Sequence, residues 1–499
     1  MATAMGELRE WIAQITDLEH AYSLLEWDKN TMMPRLGAPL RSEQLATLER
    51  ILHERLSCER TGELLMAAEA ELDGTAPDSL EARSVGETRR LYEKARCVPV
   101  ELAAARARAA SNGYDIWVAA RDADDFSAFA PALERNFQLA RDYIACFDDY
   151  DDPYDVVLDD FAPGMRTAEA SALLGEMRDE LLPLIAELRD RSIDVAPLHV
   201  RYPVAGQRQL VDQVLRWMGF EDTAWRLDDT VHPFETSFSV DDVRLTTRYH
   251  ESYFPTGLYG AMHECGHGLY EAGVAPELQR TPLGMIRSSA IHESQSRLWE
   301  NMVGRSRAFC GALVEPLIAH SGGTLAGLQP QALFRAVNAV RPSTIRIEAD
   351  EATYGMHIVL RFELERAVLA GELTVAELPE VWNARMRDYL GVEVTSDSEG
   401  VMQDVHWSAG LIGYFPTYAI GNLIAGQLWE RAHVDIPALD ELLAAHALAP
   451  LREWLREQVH RHGSRFSDSE LLAQVVGGPV RVAPFITYLR AKLGDVYLA

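Results

Sequence analysis

The sequence predicts a mainly α-helical protein folded as one large domain over residues 1–499, and three observations carry that expectation. Apolar residues recur at three- and four-residue spacing through most of the chain. Prolines punctuate these runs singly, and no glycine/serine linker or internal repeat divides them. Alternating, β-branched sequence is confined to about residues 229–250.

The elements follow from local chemistry. After the turn at Pro163-Gly164, Thr167 is placed to cap a helix whose apolar positions Leu173, Leu174, Met177, Leu181, Leu184, Ile185 and Leu188 keep the helical period. Phe234 to Ser239 and Val243 to Tyr249 flank Val240-Asp241-Asp242, which predicts an antiparallel β-hairpin with an acidic turn. An edge strand there could pair with an extended peptide, although a purely structural sheet explains the same pattern. Leu258, Met262, Cys265 and Leu269 then mark a buried helix, in which Gly257, Gly260, Gly266 and Gly268 admit close backbone approach. Residues 405–428 lack Asp, Glu, Lys and Arg, but His406, Pro416, Asn422 and Gln427 interrupt them. A buried core segment near the site is expected there, not a membrane span.

Composition excludes several functions. With 47 basic and 76 acidic side chains the net charge is −29, and no basic patch offsets it, which argues against nucleic acid and anionic membranes as partners. Lysine occurs only at Lys29, Lys94 and Lys492, so nearly every positive charge is an arginine. The acidic run at residues 148–152 reads as a solvated loop. The amino terminus has neither a basic start nor an apolar run, and a cytoplasmic location is the expectation. Cys58, Cys97, Cys146, Cys265 and Cys310 show no paired spacing and are read as reduced, mostly core thiols.

The chemistry is concentrated in Met262-His263-Glu264-Cys265-Gly266-His267-Gly268. Residues four apart lie about 40° from one another on a helix, so both imidazoles can reach one metal ion. Glu264, rotated by about 100° from His263, stands beside the ligands, where its carboxylate can take a proton from the attacking water. Two buried imidazoles and a carboxylate are costly without such a purpose. A structural zinc site would need a fourth protein ligand, whereas a catalytic site uses three. The third is sought in Ser288-Ser289-Ala290-Ile291-His292-Glu293, where Ser288 or Ser289 can cap a second helix. Either Glu293 or His292 could complete the set, giving two histidines with a glutamate or three histidines.

Taken with these elements, a series of motifs resembles the carboxypeptidase Taq family of metallocarboxypeptidases. They are His232-Pro233-Phe234, Asp242-Val243-Arg244-Leu245-Thr246, His263 to His267, His292-Glu293-Ser294-Gln295, Ile345 to Asp350, and Gly400 to Trp407. Trp27-Asp28, Met33-Pro34, Pro484-Phe485 and Tyr488-Leu489 extend the resemblance over essentially the whole chain. It departs from the family at Met402 and Gly426, away from the metal chemistry.

The resemblance implies a mainly α, cleft-containing fold similar to neurolysin and the angiotensin-converting enzymes, with a small antiparallel sheet beside the metal helices of about 257–300. It implies a helical lid over about 1–75, a homodimer, and removal of single amino acids from peptides with a free carboxyl terminus. Carried over, it assigns one divalent ion, Zn2+ first with Co2+ or Mn2+ as alternatives, to His263, His267 and Glu293, and makes Glu264 the general base. His406 and Tyr418 are expected across the cleft as donors to the developing oxyanion, each with core packing as the plainer role. Arg346 and Arg244, with His232 nearby, are candidates for binding the substrate carboxylate, each arginine alternatively a buried structural ion pair. Rival readings are a zinc oligopeptidase or dipeptidyl carboxypeptidase, and an inactive peptide-binding scaffold. The intact Glu264 argues against the scaffold.

Overall fold

The structure, a computed structural model, describes residues 3–498 and is mainly helical. The amino-terminal helices Ala4–Thr31, Ala38–Ser57, Glu59–Glu71 and Leu80–Cys97 enclose a small apolar cluster of their own, built from Leu8, Ile12, Ile15, Leu64, Leu65, Ala68, Val85 and Tyr92. The main core lies in the rest of the chain. Polar contacts tie the first helix to that body. Arg280 pairs with Asp17 at 2.7 Å, and the guanidinium groups of Arg226 and Arg244 lie against the buried ring of Trp27, 4.8 and 4.5 Å from its centroid. Such cation–π contacts strengthen as water is excluded.

A three-stranded sheet sits beside the helix that carries the two histidines. Strand β1 covers Trp225–Asp229, β2 Glu235–Ser239 and β3 Asp242–Thr247, in the order β1-β3-β2. The β2–β3 hairpin forms as expected, with an irregularity between Ser237 and Ser239. The sheet is nevertheless mixed rather than wholly antiparallel, because β1 pairs parallel to β3 and places Arg226 beside Arg244. Two aspartates in a five-residue strand hide β1 from a propensity reading.

The metal helix, Pro255–Gly273, packs against the sheet and is buried along most of its length. The helix after Pro163-Gly164 spans Thr167–Leu188, but Thr167 is its first helical residue and not its cap. The Thr167 backbone N–H instead donates to Asp155 Oδ1 at 2.6 Å, and that carboxylate serves the terminus in place of a threonine hydroxyl. Helix Phe415–Asp435 is buried from Phe415 to Trp429 apart from the half-buried Tyr418, as expected for the charge-poor segment, and its last turn is largely exposed. No helix among the described residues is long and apolar enough to cross a membrane. All five cysteines are free, yet only Cys265 and Cys310 are core thiols; Cys97 is exposed and Cys58 and Cys146 are half-buried. Their surroundings are charged amino-terminal helices and a helix end, where burial is incomplete.

Candidate active site

Two close backbone approaches assemble the site. The metal helix meets the next helix, Ser289–Arg297, at Gly266, where a Cβ would stand 2.7 Å from Ser296 Cα and 2.8 Å from the Gln295 carbonyl oxygen. On the other side Gly421 of helix Phe415–Asp435 admits the Glu293 side chain, 2.9 Å from where a Cβ would lie. Any larger residue at either position would push the elements apart. Ser288 is the cap of the Glu293 helix, its Oγ accepting the Ile291 backbone N–H at 3.2 Å, while its own proton goes to Asp468. The helix then runs into a π-helical turn, Leu298–Val303. Glu293, Arg297 and Glu300, spaced four and three apart, share one face.

These elements bring His263, His267 and Glu293 together, with one ligand atom from each within 4.8 Å of the others. Glu293 Oε2 is 3.6 Å from His263 Nε2 and 3.4 Å from His267 Nε2. Ligand atoms about 2.0–2.1 Å from a tetrahedral ion stand roughly 3.3 Å apart, so the three residues fit a divalent metal of the zinc type. Behind them lies a supporting layer. Glu300 Oε2 is 2.9 Å from His263 Nδ1, and Arg297 donates to Glu293 Oε1 at 2.6 Å while also pairing with Glu300. Arg305 holds the other Glu300 oxygen at 3.0 Å. His292 does not face the trio. Its Nδ1 contacts His267 Nδ1, and its Nε2 lies 3.1 Å from Glu271.

Electrostatics differ sharply across a few ångströms. Burial pushes the Glu264 carboxyl up to about 7, helped by Glu293 and Glu300 and opposed by His263. Burial would raise Glu293 too, but Arg297 and the two imidazoles hold it far below the usual carboxylate range. Burial and the neighbouring His292 draw His267 down to about 3, so that it stays neutral. Burial opposes a charged His263, yet Glu293 and Glu300 outweigh it and keep that imidazole above its ordinary value. Adjacent carboxyl groups thus take opposite states, Glu293 ionised and Glu264 ready to hold a proton.

The remaining candidates come from the buried segments around Arg346 and His406, from helix Phe415–Asp435 and from the sheet. His406 is buried, with Nε2 3.1 Å from Tyr418 Oη and Nδ1 lacking a partner; burial and Arg346 draw its imidazole down to about 3. Tyr418 lies one turn before Gly421, on the face toward Glu293. Arg346 is 5% exposed, with Nε and Nη2 donating to Asp404 Oδ1 at 3.0 and 2.9 Å and Nη1 to Tyr354 Oη at 2.9 Å. Arg361 holds the other Asp404 oxygen, Nε to Oδ2 being 2.6 Å. Arg244 pairs with its neighbour Asp242 at 2.9 Å and lies between Trp27 and Phe238. His232 is exposed in the loop between β1 and β2.

The whole-chain comparisons agree with this geometry. Residues 7–493 match the family described as carboxypeptidase Taq (M32) metallopeptidase. The chain belongs to that family. It is 39% identical to thermostable carboxypeptidase 1 of Thermus thermophilus, over 99% of both chains, and 33% identical to carboxypeptidase 1 of Bacillus subtilis, over 99% of this chain and 98% of the other. The crystal structure of an M32 carboxypeptidase from Deinococcus radiodurans R1 superposes with a TM-score of 0.95 at 36% identity, covering 99% of each chain. The protein is therefore a metallocarboxypeptidase, a peptide-bond hydrolase that uses a divalent metal.

Within this M32 chain, sequence reading missed Glu300, Glu271, Tyr354, Asp404 and Arg361. The spacing of Glu293, Arg297 and Glu300 on one helical face could have revealed Glu300. Its support is measurable: Glu300→Gln should weaken metal affinity about 10- to 100-fold, the usual effect of losing a partner that orients a ligand. Glu293→Gln should weaken it further. Equilibrium dialysis against a chelator buffer checks both, and a Glu300→Gln affinity equal to wild type would remove that residue from the site.

Proposed function

We propose that this protein releases single carboxyl-terminal amino acids from peptides, with His263, His267 and Glu293 holding one divalent ion and Glu264 acting as general base. One observation carries the reading: three ligand atoms converge beside a buried carboxyl group that burial raises to about 7. The ion, Zn2+ first with Co2+ or Mn2+ as alternatives, supplies Lewis acidity to the attacking water and the scissile carbonyl. Glu264 takes the proton of that water and passes it to the departing amine.

His406 and Tyr418 divide the work of stabilising the oxyanion. A neutral His406 with its proton on Nε2 donates to Tyr418 Oη, which frees the phenolic proton to point at substrate. That tautomer also accounts for His406 Nδ1, which is then an acceptor left without a donor, a cheaper omission than a buried N–H. Asp404 faces two arginines, so their cluster keeps an excess positive charge beside Tyr418, and Arg346 is its member on that side. A substrate carboxylate is drawn there. Arg244, engaged by Asp242 and Trp27, and His232 at the rim contribute less directly to the same cleft. The amino-terminal helices act as the lid, and a cytoplasmic homodimer, which the mass in solution decides, enters from the family resemblance.

Mass spectrometry of peptide digests by the metal-loaded protein tests the reading. Successive loss of single residues from a free-acid peptide is expected, with the amidated peptide resistant. Release of dipeptides, or internal cleavage of the amidated peptide, would favour the oligopeptidase alternative.

A further inference from the structure

A second group of metal-ligating side chains stands beside the first. Glu235 on β2, Glu271 seven residues after Glu264 on the metal helix, and His292 just before Glu293 each bring one ligand atom within 4.8 Å of the others. They come from three separate elements, so the convergence belongs to the fold and not to a run of sequence. Their charge is uncompensated. Glu293 has Arg297, Glu300 has Arg297 and Arg305, and Asp404 has Arg346 and Arg361, but among the described residues no lysine or arginine lies within 4.0 Å of Glu235 or Glu271. Glu235 receives only the Ser237 hydroxyl, and Glu271 only His292. Two carboxylates this close in a half-buried wall need a proton or a cation between them.

We propose that Glu235, Glu271 and His292 bind a second divalent ion, and that this ion opposes metal binding at His263, His267 and Glu293 through one shared proton. An imidazole with two carboxylates favours zinc, cobalt or manganese over calcium or magnesium. The opposition follows from the contact between His267 Nδ1 and His292 Nδ1. Each neutral ring carries one proton, and one of the two must lie in that contact. When His267 offers Nε2 to the first ion, its proton sits on Nδ1 and is donated to His292, whose own proton is then on Nε2, facing Glu271. When His292 offers Nε2 to the second ion, the favoured arrangement reverses, and His267 Nε2 carries a proton that the first ion must displace. Opening both Nε2 atoms on neutral rings puts both protons into the Nδ1–Nδ1 contact, which replaces its hydrogen bond with a repulsion. Each ion therefore weakens the other, and by linkage the factor is the same in both directions, about 5- to 150-fold for couplings of this kind.

The opposition rests on the metal assignment proposed above, whereas the second site itself does not. Equilibrium dialysis of the full chain against buffered Zn2+, with metal analysis and peptide hydrolysis at each free concentration, tests both. One ion per chain should bind with activity rising, and a second at higher free zinc; in His263→Ala, which removes the first ion, the second should bind about 5- to 150-fold more tightly, and an unchanged affinity there overturns the opposition. Glu235→Gln and His292→Gln should each abolish the second ion, while Glu235→Gln keeps the first ion and the activity. Glu235→Asp should restore the second ion in part. A single ion at every zinc concentration overturns the proposal, as does a second ion that persists in both glutamine variants. Retention of the first ion by His263→Ala would instead sink the catalytic metal assignment and leave the second site standing.

Discussion

Glu264→Gln should lower kcat by about 10²- to 10⁴-fold, the range for losing a positioned general base, with metal content unchanged at one ion per chain under low-zinc conditions. The substitution keeps the volume of a side chain only 7% exposed, so packing is preserved while the group that accepts the proton is lost. A second readout separates this from misfolding. In the ion-free protein burial raises the Glu264 carboxyl to about 7, above its unfolded value of about 4.3, so the folded state holds the proton more tightly than the unfolded chain. Stability contributed by that proton is present below the unfolded value and is lost as pH rises toward 7. Glutamine has no such titration. The ion-free variant should therefore gain stability relative to wild type across that window, read as a smaller drop in Tm between pH 5 and pH 8. A variant with activity within tenfold of wild type would remove Glu264 from the base's role.

The legible parts of the sequence were those governed by short-range periodicity. The pair His263 and His267, with Glu264 beside them, follows from 3.6 residues per turn, and the Ser288 cap and the β2–β3 hairpin follow from local propensity. Helix spacing could not decide between His292 and Glu293, which are consecutive and so point about 100° apart. The family resemblance favoured Glu293, and the fold turns that residue toward the two imidazoles while His292 backs onto His267. Strand β1 was not legible because its partner β3 lies 18 positions away in register, and nothing local in Trp225–Asp229 demands it. The cluster of Arg346, Arg361 and Asp404 was hidden for a related reason: its members come from three segments that only tertiary packing unites. Arginine is so common in this chain that residue type alone gave no signal.

Asp404→Ala should cost about 3–5 kcal/mol of stability, the range for removing one partner of a buried ion cluster and leaving the others uncompensated. Asp404 holds two guanidinium groups apart. Arg346 Nε and Nη2 share one oxygen and Arg361 Nε takes the other, while burial already draws Arg361 down to about 10 in spite of Asp404. Without the carboxylate, two cations face each other in the interior, and urea unfolding should show the loss as a lower midpoint. Arg346→Ala separates structure from binding, because it leaves Asp404 and Arg361 as a one-to-one pair. Its stability cost should be smaller than that of Asp404→Ala, but it should lose about 2–5 kcal/mol of transition-state stabilisation for free-acid peptides, with metal content unchanged. If Arg346→Ala hydrolyses free-acid peptides as efficiently as wild type and loses only stability, then Arg346 belongs with Arg361 as a structural partner of Asp404. The substrate carboxylate would then have to be held by Arg244 or another group lining the cleft.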